Sequence, residues 1–284
     1  MDLHAAQFDG YELLGCGDER KLERLAGVVV ERPASQAIWP LPERLREIEP
    51  QVVFRRRGDG SGSWKGGARA PAEGWTVSYG GISFEIRLTG HGNLGLFPEH
   101  SCHFEWLEGL LARRPSSRVL NLFAYTGGAS MVCARAGAQV THVDAARAVN
   151  GWARRNIEIS GLPDDRVRFL ADDALKLVKR ELRRGNRYEG IILDPPSFGR
   201  GPKGEVWKLE RDLATLVARC RELLADHPLF FLLTAHSPGV TAAVLRGAVE
   251  GLPGPGIESG EMLIAGDASV LPSGAYARWA ATNG

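Results

Sequence analysis

The chain has 284 residues, 35 Lys or Arg against 34 Asp or Glu for a net charge of +1, and 44% hydrophobic residues. That balance excludes disorder as the main state, and near-neutrality excludes adhesion to nucleic acid through the whole surface, so any such contact must come from local patches. Apolar runs fall far short of the ~18 residues a membrane span needs, and residues 1–10 show no basic region followed by an apolar core; the expectation is a cytoplasmic protein with no membrane partner.

Residues 1–95 read as short strands separated by turn residues, at 27–30, 51–54, 75–79 and 82–88. They predict a β-rich N-terminal domain, a platform for RNA or another substrate. Within it, residues 55–69 carry five basic residues, one acidic residue and several glycines, and are expected to form a mobile basic loop. Arg55, Arg56, Arg57 and Lys65 are its candidate phosphate contacts.

The texture changes over 96–284. After a helix at 103–113, strands at 118–123, 139–143, 167–170, 190–194 and 229–234 alternate with amphipathic stretches at 145–160, 209–225 and 240–249. That rhythm predicts an α/β domain built of βαβ units, with a parallel sheet covered on both faces. Segments 258–265 and 275–280 then read as two strands forming an antiparallel edge. Cys16, Cys102, Cys133 and Cys220 contain no CxxC pair and no Cys/His cluster at ligand spacing, so neither a zinc site nor a disulfide framework is expected. Cys220 reads as core.

Ligands of open α/β sheets bind beyond the carboxyl ends of the strands, which directs attention to the residues following each one. The first such end reads Asn121-Leu-Phe-Ala-Tyr-Thr-Gly-Gly-Ala-Ser130, with Gly127 and Gly128 able to turn tightly before a helix. The second ends at Asp144, placed to accept hydrogen bonds from ribose hydroxyls. The third ends in Asp172 and Asp173, of which Asp173 is the preferred acceptor for an adenine amino group. Each of these acids is equally suited to cap a helix N-terminus. The fourth end, Asp194-Pro-Pro-Ser-Phe198, is the most specific. Pro195 and Pro196 stiffen the backbone and leave carbonyls beside a carboxylate, a site suited to N–H groups, and Phe198 offers a ring for a planar base.

Together these residues resemble the class I S-adenosylmethionine-dependent methyltransferases. More narrowly, Leu120-Asn-Leu-Phe-Ala-Tyr-Thr-Gly-Gly128, the Asp172-Asp173 pair and Asp194-Pro-Pro-Ser-Phe198 are similar to segments of bacterial large-subunit ribosomal RNA methyltransferases. Residues 11–14, 20–24 and 95–100 resemble a related bacterial group. The resemblance implies a seven-stranded Rossmann-like sheet with an antiparallel C-terminal edge. It also implies S-adenosyl-L-methionine held by Phe123, Ala124, Tyr125, Thr126, Gly127, Asp144, Asp172 and Asp173, with Phe97 and His100 in a lid segment.

One departure narrows the chemistry. Relatives that methylate cytosine C5 resemble one another in a nucleophilic cysteine just after the fifth strand, where this chain reads Leu233-Thr-Ala-His-Ser237. Without a thiolate to attack C6, that carbon stays inert, whereas a base nitrogen already has electrons to offer. The expected reaction is therefore direct methyl transfer to a base nitrogen of ribosomal RNA, with Asp194, Pro195, Pro196 and Phe198 as catalytic candidates. Arg200 and Lys203, just past that corner, are expected to contact phosphates. Alternatives are a small-molecule methyltransferase and a non-catalytic protein that binds RNA and the methyl donor. A dinucleotide-dependent oxidoreductase is disfavoured, because no GxGxxG follows the first strand.

Overall fold

Strands buried on both faces read as continuous apolar runs, and Val119, Leu120, Leu122, Ile191, Ile192, Leu193 and residues 230–233 are of that kind. The structure, a computed structural model, describes residues 1–58 and 60–281. In chain order the first elements are β1 (Leu3–His4), β2 (Tyr11–Gly17), β3 (Arg20–Leu25), β4 (Val28–Pro33), the single-turn α1 (Glu43–Arg46), β5 (Val52–Arg56), β6 (Gly62–Lys65), β7 (Thr76–Tyr79) and β8 (Ile82–Glu85). Next come α2 (Phe104–Ala112), β9 (Arg118–Leu122), α3 (Gly128–Arg135), β10 (Gln139–Asp144), α4 (Arg147–Ile159), β11 (Val167–Ala171), α5 (Ala174–Arg183) and β12 (Gly190–Leu193). The last are β13 (Phe198–Arg200), β14 (Val206–Lys208), α6 (Leu209–Glu222), β15 (Phe230–Ala235), α7 (Ala242–Ala248), β16 (Glu258–Ala265) and β17 (Val270–Ala280).

Met1–Leu3, Cys102–Met262 and Gly274–Gly284 form one compact unit; His4–Ser101 and Leu263–Ser273 form the other. The main sheet has the order β1-β16-β17-β15-β12-β9-β10-β11. Strands β9, β10, β11, β12 and β15 pair in parallel, while β17 runs antiparallel to β15, as the α/β reading requires. The sheet has eight strands where seven were expected. The extra one, β1, is two residues long beside β16, too short to leave a periodic signal. Leu177 and Val178 of α5, together with Leu213, Leu216, Val217 and Cys220 of α6, belong to the same buried core as Leu120, Leu122, Ile191, Leu193, Phe231 and Leu233. Burial pushes the Cys220 thiol pKa up, consistent with its place in that core. Among the described residues, no helix is long and apolar enough to cross a membrane.

The N-terminal unit holds a five-stranded sheet, β2-β3-β4-β5-β6, and the β7-β8 pair. The basic stretch is more ordered than expected. Phe54 lies opposite Trp64 and Arg56 opposite Gly62 in the β5-β6 ladder, with the Phe54 and Trp64 ring centroids 4.9 Å apart. Cross-strand aromatic packing outweighs the flexibility of the glycines there. Asp59, the acid of that stretch, lies outside the described residues. The tip joining β16 to β17 packs with this unit too: Ile264 and Leu271 share a core with Leu13, Cys16, Ala34 and Ala37. A division of the chain at residue 95 does not anticipate that distant contribution.

Candidate active site

Strand register fixes what stands along the carboxyl edge of the parallel strands. Leu122 is opposite both Val143 and Leu193, Val143 is opposite Leu170, and Leu193 is opposite Leu233. The residues that follow, Ala171, Asp144, Phe123, Asp194 and Thr234, therefore stand side by side. Asp144 and Asp194 flank β9, two strand spacings or about 10 Å apart.

The turn after β9 is built against steric preference. Phe123 (φ 57°) and Tyr125 (φ 48°) occupy the left-handed region, as does Gly127 (φ 92°). Such a conformation in bulky residues costs ~1–3 kcal/mol each and survives only where the surroundings impose it. Here they do. The Ala124 N–H donates to the Val143 carbonyl at 3.0 Å, Tyr125 N–H to Asp144 Oδ2 at 3.1 Å, and Asn156 Nδ2 to the Thr126 carbonyl at 3.0 Å. Asp144 Oδ1 accepts a further bond from Ala146 N–H at 2.9 Å. Burial raises the pKa of this carboxyl, and the two backbone donors pull it back. Each oxygen thus takes one backbone bond, and a carboxylate oxygen has capacity for a second.

Beneath the turn runs a polar chain that sequence reasoning missed. Asn121 Nδ2 donates to Ser130 Oγ at 2.9 Å, and Ser130 Oγ lies 2.9 Å from Nδ1 of the fully buried His142. Burial depresses the His142 pKa to about 3, so its ring is neutral at pH 7. The available signal was Asn121 within the apolar stretch of β9; His142 stands beside Thr141 in a strand of mixed character, which gives it no such contrast.

At the third tip both acids are engaged in local structure. Asp173 is the N-cap of α5, its Oδ1 accepting from Lys176 N–H at 2.9 Å, and Asp172 pairs with Arg180 at 2.6 Å. At the fourth, Asp194 Oδ1 accepts from Thr234 Oγ1 at 2.7 Å and lies 3.5 Å from His236 Nε2. His236, a possible acid/base group in the sequence that carries no assigned role there, follows directly on β15, whereas Thr234 was not singled out; period-two spacing directs both to the same side.

Of the two proline carbonyls expected to face the crevice, that of Pro196 is taken by Trp207 Nε1 at 2.7 Å. Pro195 is buried, while Phe198 is 52% exposed on a ribbon formed by β13 and β14, together with Arg200. Lys203 lies in the turn of that ribbon.

The other candidates belong to the N-terminal unit. Arg55 pairs with the nearly buried Glu31 at 2.9 Å, which offsets its charge, while Arg56, Arg57 and Lys65 are exposed. Phe97 and His100 contact each other edge to face with centroids 6.2 Å apart.

Known proteins share this arrangement of elements. A family model described as S-adenosylmethionine-dependent methyltransferase matches residues 30–245. A SAM-dependent methyltransferase from Agrobacterium tumefaciens superposes with a TM-score of 0.91 at 37% identity, covering 99% of this chain and 93% of that one. A Streptococcus mutans protein assigned to the same activity shares the fold, with a TM-score of 0.73 at 17% identity over 95% of this chain and 74% of its own. Ribosomal RNA large subunit methyltransferase K/L of Shewanella frigidimarina is 32% identical over 203 residues, 70% of this chain and 28% of that protein. The protein of the same name from Pseudomonas paraeruginosa is 32% identical over 185 residues, 64% of this chain and 24% of its own length. The chain thus spans about a quarter of these curated relatives.

Proposed function

We propose, for a chain that belongs to the S-adenosylmethionine-dependent methyltransferase family, methyl transfer to a base nitrogen of ribosomal RNA by direct in-line displacement. The row of strand tips carrying Asp144, Phe123 and Asp194 supports this reading most strongly.

The acceptor set suits the cofactor's chemistry: carboxylates at successive tips meet a molecule rich in hydroxyl and amino donors and bearing a positive sulfur. The turn from Phe123 to Gly127, with Asp144, Asp172 and Asp173, would hold it. When bound, S-adenosyl-L-methionine supplies an electrophilic methyl group. What remains for the protein is alignment and exclusion of water.

Asp194 and the Pro195 carbonyl accept the N–H groups of the target amine and turn its lone pair toward the methyl carbon. Thr234, donating to Asp194, fixes that carboxylate in place. Phe198 stacks on the base, which must be unpaired or flipped out to reach it. No cysteine follows β15, and Cys220 is buried in the core, so the covalent route to a carbon acceptor lacks its nucleophile.

An RNA substrate is supported by the names of the curated relatives and by the exposed cations Arg56, Arg57, Lys65, Arg200 and Lys203. Such a substrate places the protein in the cytoplasm.

Asp194→Ala should bind the methyl donor within about twofold of wild type by calorimetry while losing ~10²-fold in methyl transfer to large-subunit RNA. Wild-type turnover in this variant would remove Asp194 from the mechanism. Mass spectrometry of nucleosides from cells with and without the gene identifies the product as the peak that disappears.

A further inference from the structure

The ribbon past the double-proline corner stands apart from the main sheet. Phe198 is opposite Lys208 and Arg200 opposite Val206, with Gly199 and Trp207 between them. Strand alternation puts Phe198, Arg200, Val206 and Lys208 on one face and Trp207 on the other.

The inner face is fastened. Trp207 is 5% exposed, bonds the Pro196 carbonyl and lies 5.0 Å from the Phe123 ring. Leu209 N–H closes the base of the ribbon on the Ser197 carbonyl at 3.0 Å, and Glu205 pairs with Lys176 of α5. The outer face is open, with Phe198 52% and Val206 39% exposed, both among the few large apolar side chains left accessible. Glu205 and Asp212, the acids that reach the ribbon, are engaged by Lys176 and Arg211. The charges of Arg200, Lys203 and Lys208 therefore stand without a carboxylate partner among the described residues.

An aromatic ring in line with a second apolar side chain and bordered by three uncompensated cations matches unpaired nucleic acid, which offers base faces and phosphates together. A duplex hides its base faces, and a small metabolite would leave most of this face unused.

We infer that the outer face of the ribbon binds the unpaired RNA flanking the target nucleotide. The target base rests on Phe198, the next nucleotide lies against Val206, and phosphates meet Arg200, Lys203 and Lys208. This inference rests on the proposed methyl transfer to RNA and names its substrate as a locally single-stranded segment.

The test is fluorescence anisotropy with a labelled nine-nucleotide RNA of mixed sequence, unpaired or annealed to its complement, from 50 to 200 mM salt. Wild type should bind the unpaired strand at least ~10-fold more tightly than the duplex. Arg200→Gln with Lys208→Gln should weaken that binding ~10-fold or more and lower the salt slope by about 1.4, or 0.7 for each phosphate that is no longer neutralised. Val206→Ser should weaken it without changing the slope, and far-UV circular dichroism checks that each variant is folded. Unchanged affinity and slope in the double variant, or equal binding of the duplex, overturns the inference. Should the ribbon bind RNA while no RNA fraction gains a methyl group, the methyl-transfer reading falls and the binding face stands. Methylation of large-subunit RNA at the wild-type rate by the double variant has the opposite meaning.

Discussion

Gly127 opens α3 at a left-handed φ of 92°, and a Cβ there would lie 3.3 Å from the Ala153 methyl group. Both effects oppose a side chain. Gly127→Ala should therefore cost ~1–2 kcal/mol of stability by denaturant titration, and calorimetry should show weaker donor binding because the turn is displaced. Unchanged affinity would separate this turn from the donor site. The glycine was legible in the sequence because its residue type announces its backbone. Phe123 and Tyr125 were not, since their left-handed geometry is imposed by the bonds from Ala124 to Val143 and from Tyr125 to Asp144. Asp173 could be read from sequence as either cap or ligand; the structure supplies the capping bond and leaves donor contact as a proposal.

Strands β3 and β4 carry a buried charge cluster. Arg32 donates through Nε and Nη2 to Glu23 at 2.7 and 2.9 Å, Lys21 joins Glu23 at 2.9 Å, and the Tyr11 hydroxyl donates to Glu23 at 3.0 Å. Removing one partner strands the rest. Arg32→Met should destabilise the N-terminal unit by about 3 kcal/mol, and adding Glu23→Gln should restore part of that loss, because the uncompensated carboxylate is then gone. Strictly additive losses in denaturant melts would argue against coupling. The same cluster hides β3 from sequence reasoning: Arg20-Lys-Leu-Glu-Arg-Leu25 places charges where a buried strand should be apolar. By contrast β9, β12 and β15 were legible, since continuous apolar runs between turn residues leave few alternatives. The β13-β14 ribbon gave little signal, being three residues a side and held by Trp207 rather than by periodicity.

At the level of the whole molecule, each unit buries a group that makes stability depend on acid. Burial holds the His142 pKa at about 3 in the folded chain, against an unfolded value near 6.5. Its contribution is complete above that unfolded value and is lost as pH falls toward 3, because the unfolded chain takes up the proton first. Burial alone would push Glu23 up, but Arg32 and Lys21 outweigh it and hold the carboxyl at about 2. Its contribution, about 3 kcal/mol, disappears as pH falls from about 4.3 to 2. Between pH 6 and 4 the unfolding free energy should decline by up to ~1.4 kcal/mol per pH unit through His142, and His142→Gln should flatten that slope. Denaturant titrations at several pH values read it directly, and an identical slope in the variant would refute the assignment.

Ile264 and Leu271 complete a hydrophobic cluster otherwise built from residues 13–37. During synthesis, then, the cluster begun by residues 13–37 keeps an open seam until Ile264 and Leu271 emerge, more than two hundred residues later.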